Sequence, residues 1–191
     1  MSPPPPGVTR TGNGPVSHWY ESIMESNAIA ILDKFRVLAI STVRPDGWPQ
    51  ATMVSFANDG LLIYFIISRT SQKFTNIRRD DRISMVVGCD CDDPKEIKAL
   101  SIAAQASEVR DPGQREHAID LVLQRHPALA RLPRPEPSKS AVMRAFCRII
   151  TIIDYSKGFG HTDVISIGPS ETVWMNPARS DDWGFNPSPH E

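Results

Sequence analysis

The chain is poor in the features that would assign it to several large classes of protein. It has only three cysteines in 191 residues. An odd and small number argues against a secreted disulfide framework. Net charge is close to nil, −1, so nothing electrostatic favours a nucleic acid or an anionic membrane as partner. No apolar run approaches the roughly 18–20 residues that cross a bilayer. The opening Ser2-Pro3-Pro4-Pro5-Pro6-Gly7 lacks the apolar core of a signal peptide. These absences together predict a cytoplasmic protein.

Metal and nucleophile signatures are also missing. The five histidines are scattered, with no His-Glu-x-x-His. Cys89 and Cys91 form a Cys-x-Cys among Asp90, Asp92 and Asp93. No second Cys or His pair of zinc spacing accompanies them, so they read as structural thiols at a strand end and no metal is expected. No acid–base dyad stands out.

What is present is a succession of short apolar segments. A length of 191 residues suits one domain. Residues 1–15 are rich in Pro and Gly and read as a disordered tail. Residues 16–176 form the predicted domain, and 177–191 read as an extended tail. Ser17 is a natural N-cap for a first helix that runs to about Lys34, with Trp19, Ile23, Ile29, Ile31 and Leu32 as its apolar residues. The period then shifts to that of strands, over 36–43, 50–57 and 61–68. Pro45-Asp46-Gly47 and Asn58-Asp59-Gly60 supply the turns between them. Ser71 caps a short helix over 72–79. Strands follow at 82–87 and 97–109, a helix at 113–126, and a Pro-rich link at 127–137. Residues 146–155 and 163–167 are further strands, and 173–175 is a candidate to close the sheet. Strands joined by hairpins and not by helical crossovers predict a mainly β fold with short α-helices, a six- to seven-stranded antiparallel barrel.

The segment Tyr64-Phe-Ile-Ile-Ser-Arg-Thr-Ser-Gln-Lys-Phe-Thr-Asn-Ile77 carries the most chemistry. A strand ends and a helix starts at Ser71, with Lys73 in its first turn. The free N–H groups of that turn and the helix dipole favour an anion. Arg69 and Lys73 add positive charge; Ser68, Thr70 and Ser71 add hydroxyls. Two readings stand on the residues alone: a monophosphate cradle, or a capped surface helix with solvated charges.

The order of these segments resembles the pyridoxamine 5′-phosphate oxidase-like family. Val37-Leu-Ala-Ile-Ser-Thr-Val-Arg-Pro-Asp-Gly47 is similar to its opening strand and turn, Tyr64 to Ile77 to its Ser-x-Lys phosphate segment, and Arg82-Ile-Ser-Met-Val-Val87 to the next strand. The likeness covers about 20–165 and is strongest over 36–88. The resemblance implies an FMN-binding split barrel, a homodimer with FMN at the subunit interface. It places Ser71 and Lys73 on the phosphate, with Arg69 and Thr70 in the adjoining turn. It lays the backbone of Ala51-Thr52-Met53-Val54 along the isoalloxazine ring, residues that core packing would equally explain.

The chain also departs from the family. A late Trp and an Arg-x-His that holds the vitamin substrate are expected where Asp154-Tyr-Ser-Lys-Gly-Phe-Gly-His161 stands. Ser156 replaces the Trp, and no Arg is paired with His161. Ala99 stands where the family has a flavin-contacting Gln. Lys157 and His161 remain as substrate-side candidates, or as the surface residues of a hairpin turn bracketed by Gly158 and Gly160. Two functions compete: an FMN-dependent oxidoreductase acting on an unidentified small molecule, and a flavin-binding or storage protein without turnover. A haem- or deazaflavin-handling relative on the same barrel is the third.

Overall fold

The computed structural model describes residues 15–88, 90–167 and 173–176. Most of the predicted N-terminal tail, the whole C-terminal tail and Cys89 lie outside the described residues. Helix α1 spans Pro15–Lys34. It begins two residues before the expected cap, so Ser17 lies inside it. Pro15 suits a first helical position, where its missing N–H has no partner to lose. Its buried stripe is Met24, Ala28, Ile31 and Leu32, while Ile23 and Ile29 lie at its margin.

Among the described residues eight strands follow: β1 (Val37–Val43), β2 (Pro49–Asp59), β3 (Leu62–Ser68), β4 (Arg82–Gly88), β5 (Lys98–Glu108), β6 (Ser140–Asp154), β7 (Thr162–Ile167) and β8 (Val173–Asn176). Helix α2 (Gln72–Arg79) joins β3 to β4, and α3 (Pro112–Arg125) lies between β5 and β6. The turns hold Gly47 and Gly60 at φ 87° and 57°, left-handed values that glycine adopts without strain.

All pairings are antiparallel, in the order β3-β2-β1-β4-β5-β6-β7-β8, and β3 also pairs with β6. That last pairing runs the whole of β3, Leu62↔Phe146 to Ser68↔Ser140. It closes a six-stranded barrel, from which β7 and β8 extend as a flap. Two expectations are corrected here. The strand expected to begin at 146 begins at Ser140, and its first half makes the closure. The segment at 173–175, a candidate to close the sheet, instead adds to the far edge of β7.

Alternation along each strand divides barrel interior from outside. Leu38, Ile40, Phe56, Ile63, Phe65, Met85, Leu100, Ile102, Met143 and Ile150 fill the interior, and the α1 stripe joins the same core. A second cluster forms where α3 covers the outside of β2, β3 and β6. There Ala118, Ile119 and Val122 meet Ala57, Tyr64 and Val142. Where β4 meets β5 the Ala99 methyl leaves no room for a side chain opposite: a Cβ on Gly88 would lie 2.7 Å from that of Ala99.

Candidate functional site: an open strand edge beside a helix N-terminus

The barrel is not sealed everywhere. β2 pairs with β1 from Pro49 to Ser55, but with β3 only over Phe56–Asp59. Among the described residues, Pro49–Ser55 therefore has a strand neighbour on one side alone. The amide of Phe56 donates to the Arg36 carbonyl at 3.1 Å. By the antiparallel alternation, Val54, Thr52 and Gln50 also turn their backbone groups toward β1. Ser55, Met53 and Ala51 turn theirs to the open side. The Thr52 hydroxyl is the one buried side-chain polar atom without a hydrogen-bond partner among the described residues. An unsatisfied buried hydroxyl costs about 1–3 kcal/mol.

The phosphate-like segment lies at the same end of the barrel. The Ser71 hydroxyl accepts from the amide of Phe74 at 3.4 Å and donates to the Ser68 carbonyl at 2.7 Å. This is the predicted cap. The Ser68 and Thr70 hydroxyls are 2.8 Å apart, and the Thr70 amide donates to Ser68 Oγ. The amides of Gln72 and Lys73 have no acceptor among the described residues, as expected of a first helical turn. Lys73, half-buried, enters no ion pair there.

Arg69 points elsewhere. Its guanidinium forms a two-pronged ion pair with Glu108, donates to the Pro137 carbonyl at 2.6 Å, and lies 5.4 Å from the Phe74 ring centre. The side chain expected to meet a phosphate fastens the 127–139 link to the barrel.

Asn76 was not read from the sequence. It is fully buried on α2. Its amide nitrogen donates to Thr42 Oγ1 at 2.9 Å and to Gln50 Oε1 at 3.1 Å. Its carbonyl accepts from Gln72 Nε2 at 2.9 Å. Thr42 and Gln50 face each other across β1 and β2. The available signal was a polar, poor helix former between the buried Phe74 and Ile77.

Lys157 and His161 lie far from this place. They follow the distal end of β6, whose other end pairs with Ser68. β6 has 15 residues, roughly 45 Å along the strand. Both side chains meet Asp163, Lys157 Nζ at 2.8 Å and His161 Nε2 at 3.2 Å. Gly158 and Gly160 make the turn with φ of 141° and 77°. Nearby Asp154 is buried, which opposes its ionisation. Hydrogen bonds from Ser156 and the charge of Lys98 outweigh that and hold its carboxyl below the ordinary range. Cys147 is inert, because burial pushes its thiol up to about 12.

On the outer face of the barrel a cleft of about 610 Å³ is bounded by Val43, Pro49, Arg82, Gln105 and Arg148, with Ser41, Ser84 and Ala103 as small residues among them. The β5–β6 register shifts beside Arg148. Such a bulge re-aims a side chain, and the Arg148 guanidinium bonds Gln105 Oε1 at 2.8 Å.

The open edge beside a capped helix gives the context in which similarity to known proteins can be weighed. The family model for pyridoxamine 5′-phosphate oxidase matches residues 24–152, from α1 almost to the end of β6. The chain belongs to that family. No curated protein sequence matches it. Among solved structures, a haem-binding protein from Mycobacterium smegmatis superposes with a TM-score of 0.65 at 18% identity, covering 74% of this chain and 57% of that one. The chain thus spans little more than half the length of that relative. A conserved hypothetical protein from Mycobacterium tuberculosis gives 0.61 at 24% identity, covering 70% and 86%. A haem storage protein from Vibrio cholerae gives 0.53 at 19%, covering 65% and 89%. At these identities the likeness is one of fold.

Proposed function

We propose that this family member binds FMN and works as a flavin-dependent oxidoreductase on a small-molecule substrate, as a homodimer in the cytoplasm. The observation that carries the cofactor reading is the unpaired edge of β2, Pro49–Ser55, beside the first turn of α2. A flat heterocycle with donors and acceptors along its rim matches the outward backbone groups of Ala51, Met53 and Ser55. The phosphate falls to the amides of Gln72 and Lys73 and to the Lys73 ammonium, with Ser68, Thr70 and Ser71 shaping the turn.

Bound flavin supplies the electron chemistry. The chain's own part is to hold the ring along β2, anchor the phosphate on α2 and keep water away from one ring face.

The dimer reading rests on the outer barrel face. Met53, Val86 and Ile149 are 63%, 50% and 46% exposed, and the register lines them up with small residues. Met53 and Val86 flank Ala39, and Ile149 stands opposite Ala103. Exposed apolar side chains set among small Ala and Ser residues suit an interaction surface. A second copy packed there would cover the ring. In such a dimer Lys157 and His161 would reach the flavin only from the partner.

The test is the visible spectrum of the purified protein. FMN released on denaturation supports the reading, and reduction by NADH or NADPH with substrate-dependent reoxidation supports turnover. A yellow protein that is never reduced is a flavin carrier. A sharp band near the blue edge with iron supports haem handling, the activity named for two of the structures with this fold.

A further inference from the structure

The two halves of the proposed flavin site belong to different parts of the chain. The ring edge is β2, and the phosphate turn is α2, an eight-residue helix with little of its own to fix its place. Phe74 and Ile77 enter the core, but apolar contacts tolerate sliding because they are not directional. Arg79, at the exposed far end of the helix, donates to the Pro45 carbonyl at 2.6 Å; the buried directional contact is Asn76. Its amide grips Thr42 and Gln50, a cross-strand pair on β1 and β2. Gln50 lies on the open stretch of β2. The remaining acceptor of the same amide is taken by Gln72, the first residue of α2. One buried side chain thus ties the phosphate-binding turn to the strand that would carry the ring.

We infer that Asn76 is a positioning residue that sets the distance between the phosphate anchor and the ring anchor, and so selects the length of the chain that joins ring to phosphate in the cofactor. This rests on the flavin reading above. The physical basis is that of any two-point ligand. When both anchors are held at the right separation, the second contact is made intramolecularly, at high effective concentration. When the separation wanders, that advantage falls although each anchor keeps its own affinity. Hydrogen bonds are suited to this task because their strength drops steeply with distance and angle. Buried and fully bonded, the amide is also costly to displace.

The experiment compares wild type with Asn76→Leu, which keeps the volume and removes the bonds. Thr42→Val is the milder second variant, taking one bond only. Affinities are measured for FMN, for riboflavin, and for flavins whose phosphate hangs on shorter or longer alkyl chains. The expected result for Asn76→Leu is at least a tenfold loss for FMN, with riboflavin changed less than threefold and a flattened preference for chain length. Thr42→Val should show the same trend, smaller. A variant that loses FMN and riboflavin by the same factor, with chain-length preference intact, would show Asn76 to be a packing residue and overturn the inference. If Asn76→Leu does not fold, Thr42→Val decides by the same comparison. Failure of the wild type to bind any flavin would instead bring down the cofactor reading, and this inference with it.

Discussion

Arg69 and Glu108, 39 residues apart, are joined through the two terminal guanidinium nitrogens, and the third nitrogen, Nε, donates to the Pro137 carbonyl. The cation next to Ser71 in sequence is therefore held in a structural clamp, which leaves Lys73 as the charged ligand in the proposed phosphate site. The two residues should separate cleanly. Lys73→Ala should weaken FMN roughly ten- to a hundredfold, the value of about 1.5–3 kcal/mol for a charge-assisted bond, and leave riboflavin nearly unchanged. Arg69→Met should lower stability by about 1 kcal/mol and weaken both flavins alike. Urea melts and flavin titrations check both. An FMN-specific loss in Arg69→Met would show that the clamp opens to bind.

The outer barrel face makes a second prediction. Met53→Lys together with Ile149→Lys places two charges in the proposed dimer contact. Sedimentation should report a monomer with nearly unchanged far-ultraviolet circular dichroism. A dimer that survives both changes would put the contact elsewhere.

Gly88 is a test of the β4–β5 contact. A methyl group there would meet the Ala99 Cβ at 2.7 Å. Overpacking of this kind costs about 1–3 kcal/mol. Gly88→Ala should fall in that range in a denaturant melt, and Ala99→Gly in the same chain should recover part of it. Independent effects of the two changes would contradict the close approach.

Asp154 predicts an acid limb. Its carboxyl titrates below its unfolded value of about 3.9. Such a group contributes stability that is fully present above the unfolded pKa and is lost as pH falls through the lower folded value. Stability should therefore drop on going from about pH 5 toward pH 3, and Asp154→Asn should flatten part of that slope while lowering stability near neutrality. An unchanged slope in the variant would assign the acid limb to other carboxylates.

The last prediction concerns substrate. The Lys157 and His161 side chains of the 157–161 turn both meet Asp163, and no arginine lies within that turn. The Arg-x-His that the resemblance leads one to expect for a second phosphate is not present at 159–161. FMN-loaded protein incubated in air with pyridoxamine 5′-phosphate should form pyridoxal phosphate far more slowly than about 1 per second, a rate ordinary for enzymes. Turnover at or above that rate would mean that another arginine, such as Arg148, fills the role.

Much of the barrel was legible because its signals are local. Asp46-Gly47 and Asp59-Gly60 mark two turns, and the alternation of Leu38, Ile40 and Thr42 marks a one-sided strand. The start of β6 was not, because that stretch is covered on both faces. Ala141, Met143 and Ala145 point into the core while Val142 meets α3, so alternation disappears and small residues imitate a helix. The pairing of Ser68 with Ser140 leaves no local trace, since nothing near either residue specifies a partner so distant. Ser71 and its cap were readable from residue type. The ion pair of Arg69 left no local trace either, because its partner Glu108 comes from another part of the chain. Asn76 gave only the weak sign of a polar residue in an apolar helix face.

The open stretch of β2 has a cost for the protein when nothing covers it. A row of unpaired amides and carbonyls beside an exposed Met53 is a template on which another chain can add a strand. Pro49, which has no N–H, blunts one end of that row, and no comparable device guards Ala51 to Ser55. Whatever binds there also acts as a stopper against edge-to-edge association. Supply of that ligand during synthesis would then govern how much of the chain stays in solution.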